Sequence, residues 1–264
     1  MSWYMGIDIG SGTAKGVITH DGQLEAFHLV PSGVNYRLAA ANLRANLLSQ
    51  LNLRTEDIRS VGATGHGAGN IPFPFLKCAD LLSCARGISR IFPSVRTVID
   101  IQGQSSQAIR ISQTGQVVNF AINEKCASGS GRFLDIIANV LQVELQDIGD
   151  IASKSNHPVA FTTGCAVFGE SEAVSRVAEG TPREDILAGV LQSLADRISA
   201  LVEKVGMEER CAVSGGGALS SGLVRKIADK LEVQLLVPSQ PQIINALGAA
   251  IIAEETEVAK CREY

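Results

Sequence analysis

The chain has 264 residues, 45% of them hydrophobic and 19% charged, with 26 glycines; this is the composition of an ordinary α/β protein and excludes an intrinsically disordered one. Its 23 basic and 27 acidic residues give a formal charge of −4, and no long basic run recommends nucleic acid as a partner. The apolar stretch at 246–253 falls far short of the roughly 20 residues a membrane span needs. Residues 1–5 run straight into Gly6-Ile7-Asp8-Ile9 without the pattern of a signal peptide, so a cytoplasmic protein with no membrane partner is expected.

Strand-like Ile7-Asp8-Ile9 leads into the polar turn Gly10-Ser11-Gly12-Thr13, an apolar run ending Gly16-Val17-Ile18, the hairpin turn Asp21-Gly22-Gln23, and Phe27. Leu38, Leu43, Leu47, Leu48 and Leu51 mark a helix, and residues 61–65 read as a short strand entering a glycine-rich loop. A second helix is predicted over 76–91, stopped near Pro93, and the boundary between halves is placed at 93–95. The opening pattern then returns. Ile99-Asp100-Ile101 is followed by Gln102-Gly103-Gln104-Ser105, a run ending Ala108-Ile109-Arg110-Ile111, the turn Thr114-Gly115-Gln116, and Phe120. From Asp to turn Gly is 14 residues in the first copy and 15 in the second, and from that Gly to Phe is five in both. Such agreement predicts two α/β halves of like topology, each opening strand, Asp-bearing loop, strand, hairpin, strand.

In the second half, Cys126 stands just ahead of Ala127-Ser128-Gly129-Ser130-Gly131, and apolar residues at Phe133, Leu134, Ile136, Ile137, Val140 and Leu141 follow with helical spacing. A strand is predicted near 158–162, then Thr163-Gly164-Cys165 and a helix through 170–175. Further on are a long helix at 186–205, a buried strand Cys211-Ala212-Val213 entering Ser214-Gly215-Gly216-Gly217-Ala218, a helix at 223–231, a final strand at 233–237 and a closing helix at 245–257. The expected lobes are 1–94, joined by the C-terminal helix 245–264, and 95–244.

Two kinds of residue carry chemistry. Asp8 ends a hydrophobic strand just before a glycine-rich turn whose N–H groups can approach phosphate oxygens, while the carboxylate can hold Mg²⁺ through water. The turn is not a Walker loop, which needs Gly-x-x-x-x-Gly-Lys-Ser/Thr. A tight hairpin would explain one such turn. Three, at 10–13, 103–106 and 214–217, with a duplicated Asp, point to a nucleotide clamped between two lobes. The second kind is cysteine. A thiol ahead of a helix meets unpaired N–H groups and the positive end of the helix dipole, which favour the thiolate and hence metal ligation or nucleophilic attack; against this, Cys is also a common buried hydrophobe and Ser and Gly start many helices. The six cysteines, at 78, 84, 126, 165, 211 and 261, are widely spaced with no Cys-x-x-Cys pair. No disulfide framework is expected, and one chain shows no complete four-thiolate site by spacing.

These residues resemble those of the nucleotide-binding fold shared by actin, sugar kinases and the heat-shock 70 chaperones, which implies duplicated ribonuclease H-like lobes, each a mixed sheet with flanking helices, and a nucleotide cleft between them. Within it the chain is similar to the BadF/BadG/BcrA/BcrD ATPase family, which includes activators of 2-hydroxyacyl-CoA dehydratases and ATPase subunits of benzoyl-CoA reductases. The resemblance is carried by Gly6-Ile7-Asp8-Ile9-Gly10-Ser11-Gly12-Thr13-Ala14-Lys15-Gly16, Lys125-Cys126-Ala127-Ser128-Gly129-Ser130-Gly131-Arg132-Phe133-Leu134, Cys165-Ala166-Val167-Phe168-Gly169-Glu170-Ser171-Glu172 and Gly215-Gly216-Gly217-Ala218. The two cysteine segments are particular to the group; the others belong to the wider fold.

The resemblance implies that Cys126 and Cys165 from each of two subunits hold one [4Fe–4S] cluster across a homodimer, or a heterodimer with a paralogue. It implies ATP and Mg²⁺ at Asp8, Gly10, Ser11, Gly12, Thr13 and Lys15. Gln102-Gly103-Gln104-Ser105 would form a second phosphate loop, Gly215, Gly216 and Gly217 would line the adenosine side, and Asp8, Asp100 and Gln104 would be catalytic. Hydrolysis would drive low-potential electrons from a ferredoxin or flavodoxin to an acyl-CoA dehydratase or reductase. A small-molecule kinase or a non-hydrolysing nucleotide sensor of the same fold are the rival expectations. Cys78, Cys84, Cys211 and Cys261 match nothing in the cluster motif and read as core or surface residues. The chain departs from the family pattern at Ser105, where many members carry Asp, and at Thr64-Gly65-His66-Gly67-Ala68, where the activators have Tyr-Gly-Arg after Thr-Gly. Cys126-Ala127-Ser128-Gly129-Ser130-Gly131 is closer to the benzoyl-CoA reductase subunits than to the activators. His66 reads as a loop residue, Glu170 and Glu172 as complements to a helix dipole, and Lys125 as either a tuning charge or a solvated one.

Overall fold

A computed structural model describes residues 2–123, 130–161 and 166–262. They form two compact units: residues 1–94, 111–117 and 242–264 belong to the first, and 95–110 and 118–241 to the second.

The first unit is built on a five-stranded sheet made by β1 (Trp3–Ile9), β2 (Thr13–His20), β3 (Gln23–Pro31), β4 (Ile58–Thr64) and the two-residue β5 (Leu76–Lys77), in the order β3-β2-β1-β4-β5. β1, β2 and β3 form an antiparallel meander, while β4 runs parallel to β1 and β5 parallel to β4. Strand alternation gives the sheet two apolar faces. On one, Met5, Ile7, Ile9 and Ile18 pack on Leu43 and Leu47 of helix α1 (Tyr36–Gln50), whose first turn is capped by the Asn35 side chain accepting the Leu38 N–H at 3.0 Å. On the other, Val17 packs on Ile243, Ala246 and Ala250, the last two from the C-terminal helix α8 (Ile244–Arg262), which also packs against β1, β4 and α2 (Asp80–Ile91).

The second unit repeats the plan. Its sheet comprises β6 (Thr97–Ile101), β7 (Ser106–Ile111), β8 (Val117–Asn123), β9 (Cys211–Ser214) and β10 (Leu235–Leu236), ordered β10-β9-β6-β7-β8. β6 is antiparallel to β7 and parallel to β9, as β1 is to β2 and β4. Its helices are α3 (Gly131–Leu141), α4 (Ile148–Ala152), α5 (Ala166–Ala178), α6 (Arg183–Val205) and α7 (Ser221–Leu231). The core centres on α6, whose Leu187, Val190, Leu191, Leu194 and Ile198 are buried with Ile99, Ile101, Phe133, Leu134 and Val213. α3 and α5 pack on each other.

Two expected elements differ. Residues 158–161 are not a strand: Val159 instead donates its N–H to the Asp185 carbonyl at 3.0 Å and packs on the second unit's core, so apolar burial there comes without sheet pairing. The helix predicted from 76 begins at Asp80, because Leu76 and Lys77 pair with Gly62 and Ala63 at the sheet edge. Among the described residues no helix is long and apolar enough to cross a membrane.

Candidate functional site

Each unit carries an aspartate on its central strand, in the same frame. Asp8 lies opposite Lys15 of β2 and Thr64 of β4; Asp100 lies opposite Gln107 of β7 and Ser214 of β9. Both are buried, at 6% and 1% exposure, so each carboxylate must be answered by neighbours. The two units do this differently. In the first, the Lys15 ammonium donates to Asp8 Oδ2 at 2.9 Å, while the Thr64 hydroxyl donates to Asp80 Oδ1, which also accepts the Gly65 N–H at 2.7 Å. In the second, Asp100 Oδ2 accepts from the Gln102 and Gln107 amides at 2.7 and 3.0 Å, and Oδ1 from the Ser214 hydroxyl at 3.1 Å.

After each parallel strand comes a glycine in the left-handed region, Gly65 at φ +91° and Gly215 at φ +83°. A Cβ on Gly65 would overlap the Asp8 Oδ1 and the Ile9 carbonyl; one on Gly215 would overlap the Ile101 carbonyl and come within 2.7 Å of Asp100 Oδ1. Only glycine lets the chain turn this close to the carboxylate.

The turns themselves are hydrogen-bonded. Gly10 N–H donates to the Thr13 carbonyl at 3.1 Å, and the Ser32 hydroxyl to the Gly10 carbonyl at 2.7 Å; Ser11 is half-buried and Gly12 exposed. Gln102 N–H donates to the Ser105 carbonyl at 2.9 Å, with Gly103 and Gln104 exposed at the tip. The second turn is also tied to α3. Gly131 N–H donates to the Gln102 carbonyl at 2.9 Å, Arg132 N–H to the Gly103 carbonyl at 3.1 Å, and the Ser130 hydroxyl to the Gly103 carbonyl at 3.0 Å. This corrects the expectation of unpaired N–H groups at that helix start: those of Gly131 and Arg132 are already engaged by turn carbonyls.

Within the first unit the structure thus brings together Asp8, Gly10, Ser11, Gly12, Thr13 and Lys15, and within the second Asp100, Gly103, Gln104, Ser105, Gly215, Gly216 and Gly217. Cys126, Cys165 and Lys125 lie outside the described residues. α3 begins at Gly131, a few residues after Cys126, and α5 at Ala166, directly after Cys165. Cys78, Cys84 and Cys211 are buried; burial raises the Cys78 thiol to about 11 and pushes the Cys211 thiol above its ordinary value, the opposite of what a metal ligand needs. Among the described residues no group of three His, Cys, Asp or Glu side chains could hold a metal ion. His66 is exposed and meets Tyr36 edge-on. α5 begins at Ala166, so Glu170 and Glu172 fall beyond its first turn and do not complement its dipole as expected; Glu172 instead lies 3.9 Å from Arg176, a half-buried helix pair.

Sequence reasoning missed Thr64, Gly65, Asp80, Gln107 and Ser214. The signal was present: Thr64-Gly65-His66-Gly67-Ala68 and Ser214-Gly215-Gly216-Gly217-Ala218 share a hydroxyl-bearing residue, two glycines and an alanine at the same spacing, and both follow the strand that flanks the aspartate.

A duplicated α/β fold with an aspartate and a glycine turn at matching positions in both halves defines a nucleotide-binding ATPase of the actin type. The chain belongs to the BadF/BadG/BcrA/BcrD ATPase family, whose model matches residues 5–253. It is 38% identical over 250 residues to the 2-hydroxyisocaproyl-CoA dehydratase activator of Clostridioides difficile, covering 94% of each chain. A solved structure of the activator of the 2-hydroxyisocaproyl-CoA dehydratase from Clostridium difficile with bound ADPNP matches with a TM-score of 0.91 at 35% identity, covering 99% of this chain and 98% of that one. A benzoyl-CoA reductase component of Thauera aromatica is 29% identical over 268 residues, covering 93% of this chain and 91% of that protein.

Proposed function

We propose that this protein is an ATP-driven activator of an acyl-CoA dehydratase, passing low-potential electrons from a ferredoxin or flavodoxin to that partner in the cytoplasm. The higher identity to the dehydratase activator than to the benzoyl-CoA reductase component favours a dehydratase over a reductase as the recipient, despite the Cys126-Ala127-Ser128-Gly129-Ser130-Gly131 segment.

In this reading the Asp8 and Asp100 carboxylates would hold Mg²⁺, which would supply charge to the phosphates, and Gln104 would orient a water. Gly10, Ser11, Gly12, Thr13, Lys15, Gly103 and Ser105 bind phosphate oxygens, and Gly215, Gly216 and Gly217 face the adenosine. Cys126 and Cys165 of two copies together supply four thiolates, the donor set of a [4Fe–4S] cluster. Such a cluster, when bound, supplies a one-electron store. Cys78, Cys84 and Cys211 are buried in the core, and of the remaining cysteines only Cys126 and Cys165 stand in the two segments that resemble the family's cluster motif.

The observation that carries the reading is the tie between turn and helix. Gln102 and Gly103 accept from Ser130, Gly131 and Arg132, so a phosphate drawing on the 102–105 turn pulls on the start of the helix that follows Cys126. Nucleotide can shift that helix only as far as its differential affinity for two arrangements allows.

Anaerobic purification with iron and sulfide counting tests this directly. About two irons per chain are expected for a four-iron centre shared by two chains, falling to none in Cys126→Ser and Cys165→Ser, together with phosphate release from ATP and activation of a dehydratase. Absence of iron from the anaerobic protein, with a phosphorylated small molecule as product, would replace the proposal with a kinase. Iron with ATP binding but no phosphate release would replace it with a nucleotide sensor.

A further inference from the structure

Away from the aspartate turns, the first unit contains a cavity of about 440 Å³ between α1, β4 and residues 73–76, reached also by Met5 and Lys260. Its walls are of two kinds. Leu48, Val61 and Phe75 offer apolar surface, and Thr55 and Ser60 bring hydroxyls. Arg44, Arg59 and Lys260 bring three cations to the same cavity, in a chain whose net charge is −4. Glu257 answers two of them, at 2.7 Å from the Lys260 ammonium and 3.9 Å from Arg59 Nε. Arg44 has no carboxylate partner among the described residues. Its guanidinium carbon lies 4.0 Å from the centroid of the Phe73 ring, which holds the planar fork in place while leaving its N–H donors for another group.

We propose that this cavity is a second ligand site, taking a small organic anion with a flat apolar body: the carboxylate or phosphate meets the Arg44 fork and Arg59, and the body lies against Phe73, Phe75 and Leu48. The volume falls in the range of small-molecule sites, and the lining has their character, mostly apolar with a few convergent polar groups. A guanidinium matches a carboxylate or phosphate with two parallel N–H donors, which an isolated ammonium does not. The site lies within the first unit and takes no part in the nucleotide assignment, so it stands whether or not that reading does.

The test titrates 1-anilinonaphthalene-8-sulfonate, an aryl anion, into the intact protein saturated with ADP so that the nucleotide site is closed to the probe. One probe per chain is expected, displaced by phenyl phosphate or by benzoate; whichever displaces it at lower concentration names the anionic group. Losing one charge-assisted contact in Arg44→Gln weakens probe binding roughly tenfold, and Phe73→Leu weakens it too, with thermal midpoint and basal ATP hydrolysis retained. Should Arg44→Gln prove poorly folded, Arg59→Gln, at an exposed strand position, carries the same readout. Probe affinity unchanged in these variants, or no displacement by either acid, would overturn the proposal.

Discussion

At the residue scale the site is set by how two buried carboxylates are satisfied. Asp8 has a lysine within hydrogen-bond distance and Asp100 has amides and a hydroxyl, so the two copies of one frame have diverged in charge while keeping their geometry. Gly65 and Gly215 are the positions where that geometry is least tolerant. Gly65→Ala and Gly215→Ala each place a side chain in a left-handed backbone against a carboxylate, and each is expected to cost about 1–3 kcal/mol, read as a lower urea midpoint with unchanged slope and lower ATP hydrolysis. Cys78 makes a pH prediction. Burial raises its thiol from the ordinary 9.0 to about 11; the folded state therefore keeps a proton that the unfolded chain loses. The stability it lends is complete below pH 9 and is lost as pH rises toward 11, by up to ~2–3 kcal/mol. Urea unfolding of wild type and Cys78→Ala compared across pH 8–11 checks this, the slope with pH being shallower in the variant.

At the scale of elements, the meanders and most helices were legible in the sequence, because Ile7-Asp8-Ile9 and Ile99-Asp100-Ile101 repeat with the same downstream turn and because α1, α3, α6 and α7 carry clear helical spacing. What escaped was decided by contacts far apart in sequence. Leu76 and Lys77 look like the start of a helix until β4 is there to pair with them, and residues 158–161 bury apolar side chains against α6 without a strand partner. The aspartate turns could be picked out from local sequence, but Thr64, Ser214 and Asp80 reach the site only through strand register and tertiary hydrogen bonds. α8 offers a test of packing at this scale. Ala250 is fully buried against Val17 and β1, so Ala250→Phe overfills a surface built for a small side chain and is expected to destabilise by about 1–3 kcal/mol or more, measured by calorimetry, with the loss confined to the first unit in hydrogen exchange.

For the whole molecule, the duplication predicts that neither aspartate substitutes for the other. On the proposed assignment of both to ATP, Asp8→Asn and Asp100→Asn are each expected to lower ATP turnover on the order of a hundredfold, and the double variant to fall short of the product of the two losses. Steady-state phosphate release from the two single variants and the double variant checks this. Near-full activity in Asp100→Asn would assign hydrolysis to the first unit alone.

The closing helix has one more consequence, for how the polypeptide is made. The strands and helices of the first unit up to Ile91 are translated first, yet α8, which covers one face of their sheet, comes roughly 150 residues later, about eight to thirty seconds at ribosomal speed. Until then the nascent chain carries a sheet with one apolar face uncovered, and since the second unit runs to Pro241, directly before α8, both units are completed only at the end of synthesis. The surface that α8 hides is therefore the one left open longest while the polypeptide is made.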